Sequence, residues 1–151
     1  MGQQQLLLVI LVTIIVGIAT VVAINIFGTA AEQANRDAVR QDLLGAATQA
    51  QGLFARPAMM DGIARDFDNL DDIRKLMIPG DGRTTDARVF NENGEYSYTG
   101  SGNTLTITGE PQTATSADDH IELRITFDPS DNSWSFTWDG EEVEEGDGTG
   151  S

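Results

Sequence analysis

The sequence predicts an α+β protein, a long N-terminal α-helix whose second half packs on a small antiparallel β-meander. Three observations predict it. Leu6 to Phe27 are 22 uncharged, mostly apolar residues; a helical-period apolar stripe then continues from Val39 to Phe54; and the hydrophobic period changes to two in the last third of the chain.

The first run is interrupted only by Thr13, Gly17, Thr20 and Asn25. Its length suffices to cross the roughly 30 Å hydrocarbon core of a bilayer as a helix. A cleaved secretory signal fits badly, because its apolar region is about 7 to 15 residues with a basic flank. Here no Lys or Arg precedes Arg36, and Thr29-Ala30-Ala31 is a poor cleavage site. No proline follows before Pro57, and Val39, Leu43, Ala46, Ala50 and Leu53 are spaced by four, three, four and three, with Ala47 and Phe54 widening the stripe. The spacing predicts one helix from about residue 3 to 55, on the order of 80 Å long. Gly28, Gly45 and Gly52 cost it about 1 kcal/mol each relative to Ala and mark positions for local bends.

Residues 57 to 86 carry Met60, Ile63, Phe67 and Leu70 at helical spacing, but Pro57, Gly62, Pro79, Gly80 and Gly82 punctuate them. A short helix or two and a loop are expected there. Asn93-Gly94 is a hairpin signal, and EYSYTGSGNTLTITGE after it reads as two strands around Gly100 to Asn103. In the next strand Ile121, Leu123, Ile125 and Phe127 alternate with Glu122, Arg124 and Thr126. DPSDNS makes a turn, Trp134, Phe136 and Trp138 share one face of the following strand, and Asp139-Gly140 leads to a short edge strand at Glu141 to Glu145. The sum is a meander of four or five strands with one apolar face. A one-sided sheet cannot bury its aromatics alone, so the stripe from Val39 to Phe54 should cover it while the first half of the helix projects. The head core expected on this basis is Val39, Leu43, Leu53, Phe54, Ile121, Leu123, Ile125, Phe127, Trp134, Phe136 and Trp138. Four segments result: a hydrophobic half-helix at 1–28, an amphipathic half-helix at 29–56, a connection at 57–86 and a β head at 87–151.

Charge divides the chain in the same way. Of the net charge of -15, residues 1 to 56 contribute nothing: Glu32, Asp37 and Asp42 balance Arg36, Arg40 and Arg56. An acidic head argues against nucleic acid as a partner, since phosphate contacts need a basic face. Lys75 is the only lysine, a surface that suits either a high-salt milieu or an acidic extracellular protein. Without cysteine and with one histidine, a disulfide framework and soft-ligand metal sites are not expected, nor is any cofactor.

An uncharged N-terminal helix continuing into an amphipathic half on an antiparallel sheet resembles the type IV pilin family. In sequence the resemblance covers about the first 30 residues, where MGQQQLLLVILVTIIVGIATVVAINIF looks like a mature pilin N-terminal segment and Gly17 lies near a helix-loosening glycine. It implies a helix that waits in the inner membrane, then is drawn by an assembly machinery into an extracellular filament with a core of such helices. Gln5 stands where the family usually has a glutamate that meets a neighbour's terminal amine, and a glutamine can hydrogen-bond that amine without neutralising it. No basic leader precedes Met1, so either the sequence given is already processed or, more simply, Met1 is the initiator; the usual proline is missing too, which leaves Gly17, Asn25 and Gly28 as the candidates for local loosening.

Extraction from lipid exposes roughly twenty apolar residues, at about 1.5 to 3 kcal/mol for each large one, unless neighbouring helices replace the lipid at once. The self-assembly residues named on this argument are Gln3, Gln4, Gln5, Leu6, Leu11, Ile14, Gly17, Ile18, Val21, Ile24 and Phe27. The expected function is a structural, non-enzymatic homo-polymer subunit. The alternatives are a single-pass membrane-anchored protein with an extracellular β domain and a pseudopilin of a secretion system.

The other motifs weigh little. DFDNLDD at 66 to 72 has the alternating acids of a calcium loop but lacks its glycine and closing glutamate. His120 sits beside Glu122 and Arg124 on a polar face without a second histidine. The N-linked sequon is absent, and Thr84-Thr85 and Thr113 to Ser116 are positions open to O-linked sugars.

Overall fold

The computed structural model describes residues 2–116, 118–138 and, for the backbone, 141–142. Its chain forms two compact units, one ending at Ala34 and one beginning at Asn35. A single helix, α1 (Gly2–Ala55), contributes to both and runs without a break through Gly17, Gly28, Gly45 and Gly52.

The second unit contains a six-stranded antiparallel meander in sequence order: β1 (Arg88–Phe90), β2 (Gly94–Ser101), β3 (Thr104–Pro111), β4 (Ile121–Asp128), β5 (Ser133–Trp138) and β6 (Glu141–Glu142). This is one strand more than the upper count expected, because β1 has only three residues and a single inward apolar side chain, Val89. Asn93-Gly94 does not form the centre of the first turn. Gly94 opens β2 opposite Pro111, where a Cβ would fall on the carbonyl oxygen of Glu110. The turn is organised by Asn91, whose Oδ1 accepts from the backbone N–H groups of Asn93 at 2.9 Å and Gly94 at 3.0 Å. Residues 143–145 of the expected last strand, and the turn at Asp139-Gly140, lie outside the described residues.

The inward faces of β2, β3 and β4 present Tyr96, Leu105, Ile107, Ile121, Leu123 and Ile125, all buried. Against them α1 sets Val39, Leu43, Ala46, Ala47, Ala50, Leu53 and Phe54, also buried. The alanines at the crossing allow a close approach of helix to sheet. Gly109 is part of the same fit, since a Cβ there would meet Val39 Cγ1. At the end of α1, Phe54 joins Phe67, Phe127 and Trp134 in an aromatic cluster with centroids 4.9 to 6.3 Å apart, and the Arg65 guanidinium lies 4.9 Å from the Phe127 centroid.

Residues 57–86 complete the cover. They form three 3-10 turns, Ala58–Met60, Phe67–Asn69 and Ile73–Leu76. Ile63, Phe67, Leu70, Ile73, Leu76 and Ile78 are buried, whereas Met60 is exposed. Ala64 and Arg65 are held at φ 53 and 64, a conformation that costs non-glycine residues of order 1–3 kcal/mol each. The turn has a specific use: the N–H groups of Ile63, Ala64 and Arg65 reach the carbonyls of Leu53, Arg56 and Phe54 and satisfy the end of α1.

Polar side chains on one flank of α1 fix its register. Asp42 Oδ2 accepts from the Tyr96 hydroxyl at 2.5 Å, Asn93 Nδ2 at 2.9 Å and Asn91 Nδ2 at 3.1 Å. About two turns earlier, Asn35 donates to the Asn93 carbonyl and accepts from the backbone and hydroxyl of Thr113. Burial, together with the Asp42 carboxylate, raises the Tyr96 phenol well above its ordinary value of 10.0. An unfolded tyrosine ionises near pH 10, before the folded one. Stability is therefore full below about pH 10 and falls as pH rises beyond it. Thermal melts from pH 8 to 11.5, with tyrosinate absorbance in parallel, are expected to show the phenolate appearing together with unfolding.

Candidate self-assembly surface

The first unit is bare helix. Leu6, Leu11, Ile14, Ile18, Val21, Ile24 and Phe27 are all at least 55% exposed, and so are their neighbours Leu7, Leu8 and Val9. Gly17 lies among them, and a Cβ there would meet nothing within 4 Å beyond its chain neighbours and the adjacent backbone of its own helix. Residues this apolar, contiguous around a helix and uncovered, mark a surface meant for lipid or for protein. The helix is long and apolar enough to cross a membrane.

Its polar groups are arranged so that they make few demands on such surroundings. The hydroxyls of Thr13, Thr20 and Thr29 donate to the carbonyls of Val9, Val16 and Asn25 four residues earlier, at 2.7, 2.8 and 3.1 Å. Each is thus satisfied inside its own helix and adds no unpaired donor to a dry environment. Gln3, Gln4 and Gln5 occupy the first turn, exposed, where the leading N–H groups of a helix also lack intrahelical partners. Polar density is therefore confined to the N-terminal end and to the stretch from Asn25 onward.

In the head, Val39, Leu43, Leu53, Phe54, Ile121, Leu123, Ile125 and Phe127 are buried, while Trp134, Phe136 and Trp138 are partly buried and packed against that core. The acids of 66 to 72 serve the backbone. Asp66 and Asp72 accept from Asp68 N and Arg74 N at the starts of two 3-10 turns, and Asp68 accepts from Gly102 N. Lys75 bridges Asp71 at 2.8 Å and Asp61 at 3.3 Å, and its ammonium holds the Asp71 carboxyl below the usual range, as Arg74 does for Asp72. Among the described residues no group of three or more His, Asp or Glu could hold a metal ion. A cleft of about 590 Å³ borders this segment, lined by Asp68, Asp71, Asp86 and Tyr98. The Tyr98 hydroxyl is committed to the Leu70 carbonyl at 2.8 Å. His120 Nε2 lies 3.5 Å from Glu122 Oε1 on the outer face of the sheet. The short-period spacing of residues 63 to 76 and the Asx turns that cap it were the signals available for this segment, and helical spacing alone missed them.

Comparison of the chain with protein-family models, with curated proteins and with solved structures finds no match.

Proposed function

We propose that this chain is the structural subunit of an extracellular type IV pilus-like filament, held in the inner membrane by its N-terminal helix before an assembly machinery transfers it to a growing polymer. The observation that carries the reading is the uncovered apolar stretch of α1, without a charged side chain over residues 2–31, in a chain whose acidic head packs as its own unit. Lipid satisfies such a helix before assembly, and identical helices at about 8–10 Å replace it afterwards. The polymer needs no charge pair along the shaft, because the threonine hydroxyls are internally bonded and the glutamines can bond a neighbour's terminal amine or carbonyls. Heads of net negative charge keep the outer surface soluble.

The membrane-crossing capacity of α1 also favours a second reading, a single-pass anchor carrying the head outside the cell. Negative-stain microscopy of material sheared from cells separates the two. Fibres whose mass-spectrometric digest contains this chain are expected; a chain found only in membranes would overturn the filament. Gly17→Leu sharpens the test. A Cβ at this position meets nothing within 4 Å beyond its own helix backbone and neighbours, and leucine improves helix propensity, so the subunit should accumulate normally. Fibre yield is expected to fall at least tenfold, because only a neighbouring helix can object.

A further inference from the structure

Between Leu6 and Ala31 the only polar side chains are Thr13, Thr20, Asn25 and Thr29. The three hydroxyls are bonded to their own helix. Asn25 is the exception, an exposed carboxamide that no described group meets, set among the exposed Val21, Val22, Ile24, Ile26 and Phe27. It begins a ridge of Asn25, Thr29 and Gln33 that borders a groove shared with Val22, Ile26 and Ala30. Gln33 closes that ridge, is exposed, and likewise has no side-chain partner among the described residues. Its charged neighbours are engaged: Arg36 pairs with Asp119, and Glu32 has an interaction within the chain. An amide left unpaired in a dry helix bundle is costly, whereas a paired one fixes the register of an apolar seam.

We infer that the Asn25 carboxamide pairs with the Gln33 carboxamide of a second copy, and that this pair sets the stagger between neighbouring helices. The inference rests on the filament reading and adds to it the register of the core. Two primary amides match each other: Asn25 Nδ2 donates to Gln33 Oε1, and Gln33 Nε2 donates to Asn25 Oδ1. Overlap selects this pairing. Asn25 against Asn25 sets parallel copies level, and a contact without axial shift closes into a ring instead of propagating. Asn25 against Gln3, Gln4 or Gln5 shifts copies by 20 to 22 residues, and little of the uncharged stretch then faces its like. Asn25 against Gln33 shifts them by eight residues, about 12 Å, and about two-thirds of the stretch stays together. Eight residues also turn about 80° round the axis, so one helix offers Asn25 to one neighbour and Gln33 to another. In a bilayer Leu6 to Ile24 span about 28 Å, the depth of the hydrocarbon core, which leaves both amides among head groups and water until assembly.

The chain has no cysteine, so Asn25→Cys/Gln33→Cys supplies its only two thiols. They lie about 12 Å apart along one helix, too far for a bridge within a copy, so any disulfide joins two copies. Intact fibres are oxidised with copper phenanthroline and run on a non-reducing denaturing gel. Monomer is expected to fall at least tenfold into a ladder of rising multimers, with position 25 joined to position 33 in the digest, while each single variant stays monomeric. Dimers from Asn25→Cys alone, or intact double-variant fibres that yield only monomer, would overturn the register and leave the filament standing. Absence of fibres in the wild type would instead remove the reading beneath it. Asn25→Leu gives a second readout should the thiols block assembly. Its fibres are expected to lose the single sharp axial repeat of the wild type in fibre diffraction, and an unchanged repeat would contradict the pair.

Discussion

Leu11→Asp is expected to abolish fibres while leaving the head folded. The side chain at position 11 is 57% exposed in the single subunit, so a carboxylate there disturbs nothing within the molecule. In a bundle of identical helices it would be buried with no basic side chain before Arg36 to pair with it. An unpaired buried charge costs several kcal/mol, and the penalty recurs at every subunit along the polymer. In the membrane the same substitution costs about 2.5 to 3.5 kcal/mol at mid-depth, which one residue among more than twenty apolar ones tolerates. The check is twofold: no fibres in sheared material, and an unchanged thermal melt of the full chain in mild detergent. Normal fibre yield would show that residues 2–34 do not form a dry core.

Asp42→Ala is expected to give the largest loss of head stability among polar substitutions. Its carboxylate holds three donors, one of them the hydroxyl of the fully buried Tyr96. Hydrogen bonds to a charged group contribute about 1.5–3 kcal/mol each, and a donor left unpaired in the interior adds its desolvation cost. A loss of about 3–5 kcal/mol is expected, a large share of the 5–15 kcal/mol typical of a domain. Asp42→Asn keeps one acceptor without the charge and should lose about half as much. Urea midpoints of the three chains check the order, and a midpoint for Asp42→Ala equal to wild type would contradict it.

Most of the architecture was legible because it rests on long periodic signals. Alternation along Ile121 to Phe127 and the spacing from Val39 to Phe54 each repeat several times, so helix, sheet and their shared core follow from binary pattern. What pattern missed is set by side-chain-to-backbone bonding at single residues. Asn91, not the Asn93-Gly94 pair, organises the first turn, and Asp66 and Asp72 start 3-10 turns that helical spacing cannot describe. The Asp42 latch joins residues 49 to 54 positions apart and has no local signature. For the proposed assembly surface, sequence supplied its extent and lack of charge. The structure added that the threonines are satisfied within the helix.

Helical reconstruction of the fibre by electron cryomicroscopy tests the central claim most directly. A core of α-helices at about 8–10 Å spacing, traced by residues 2–34 and surrounded by the β heads, is the predicted result. A fibre whose axis is built from the heads, with the N-terminal helices outside or embedded in lipid, would contradict it.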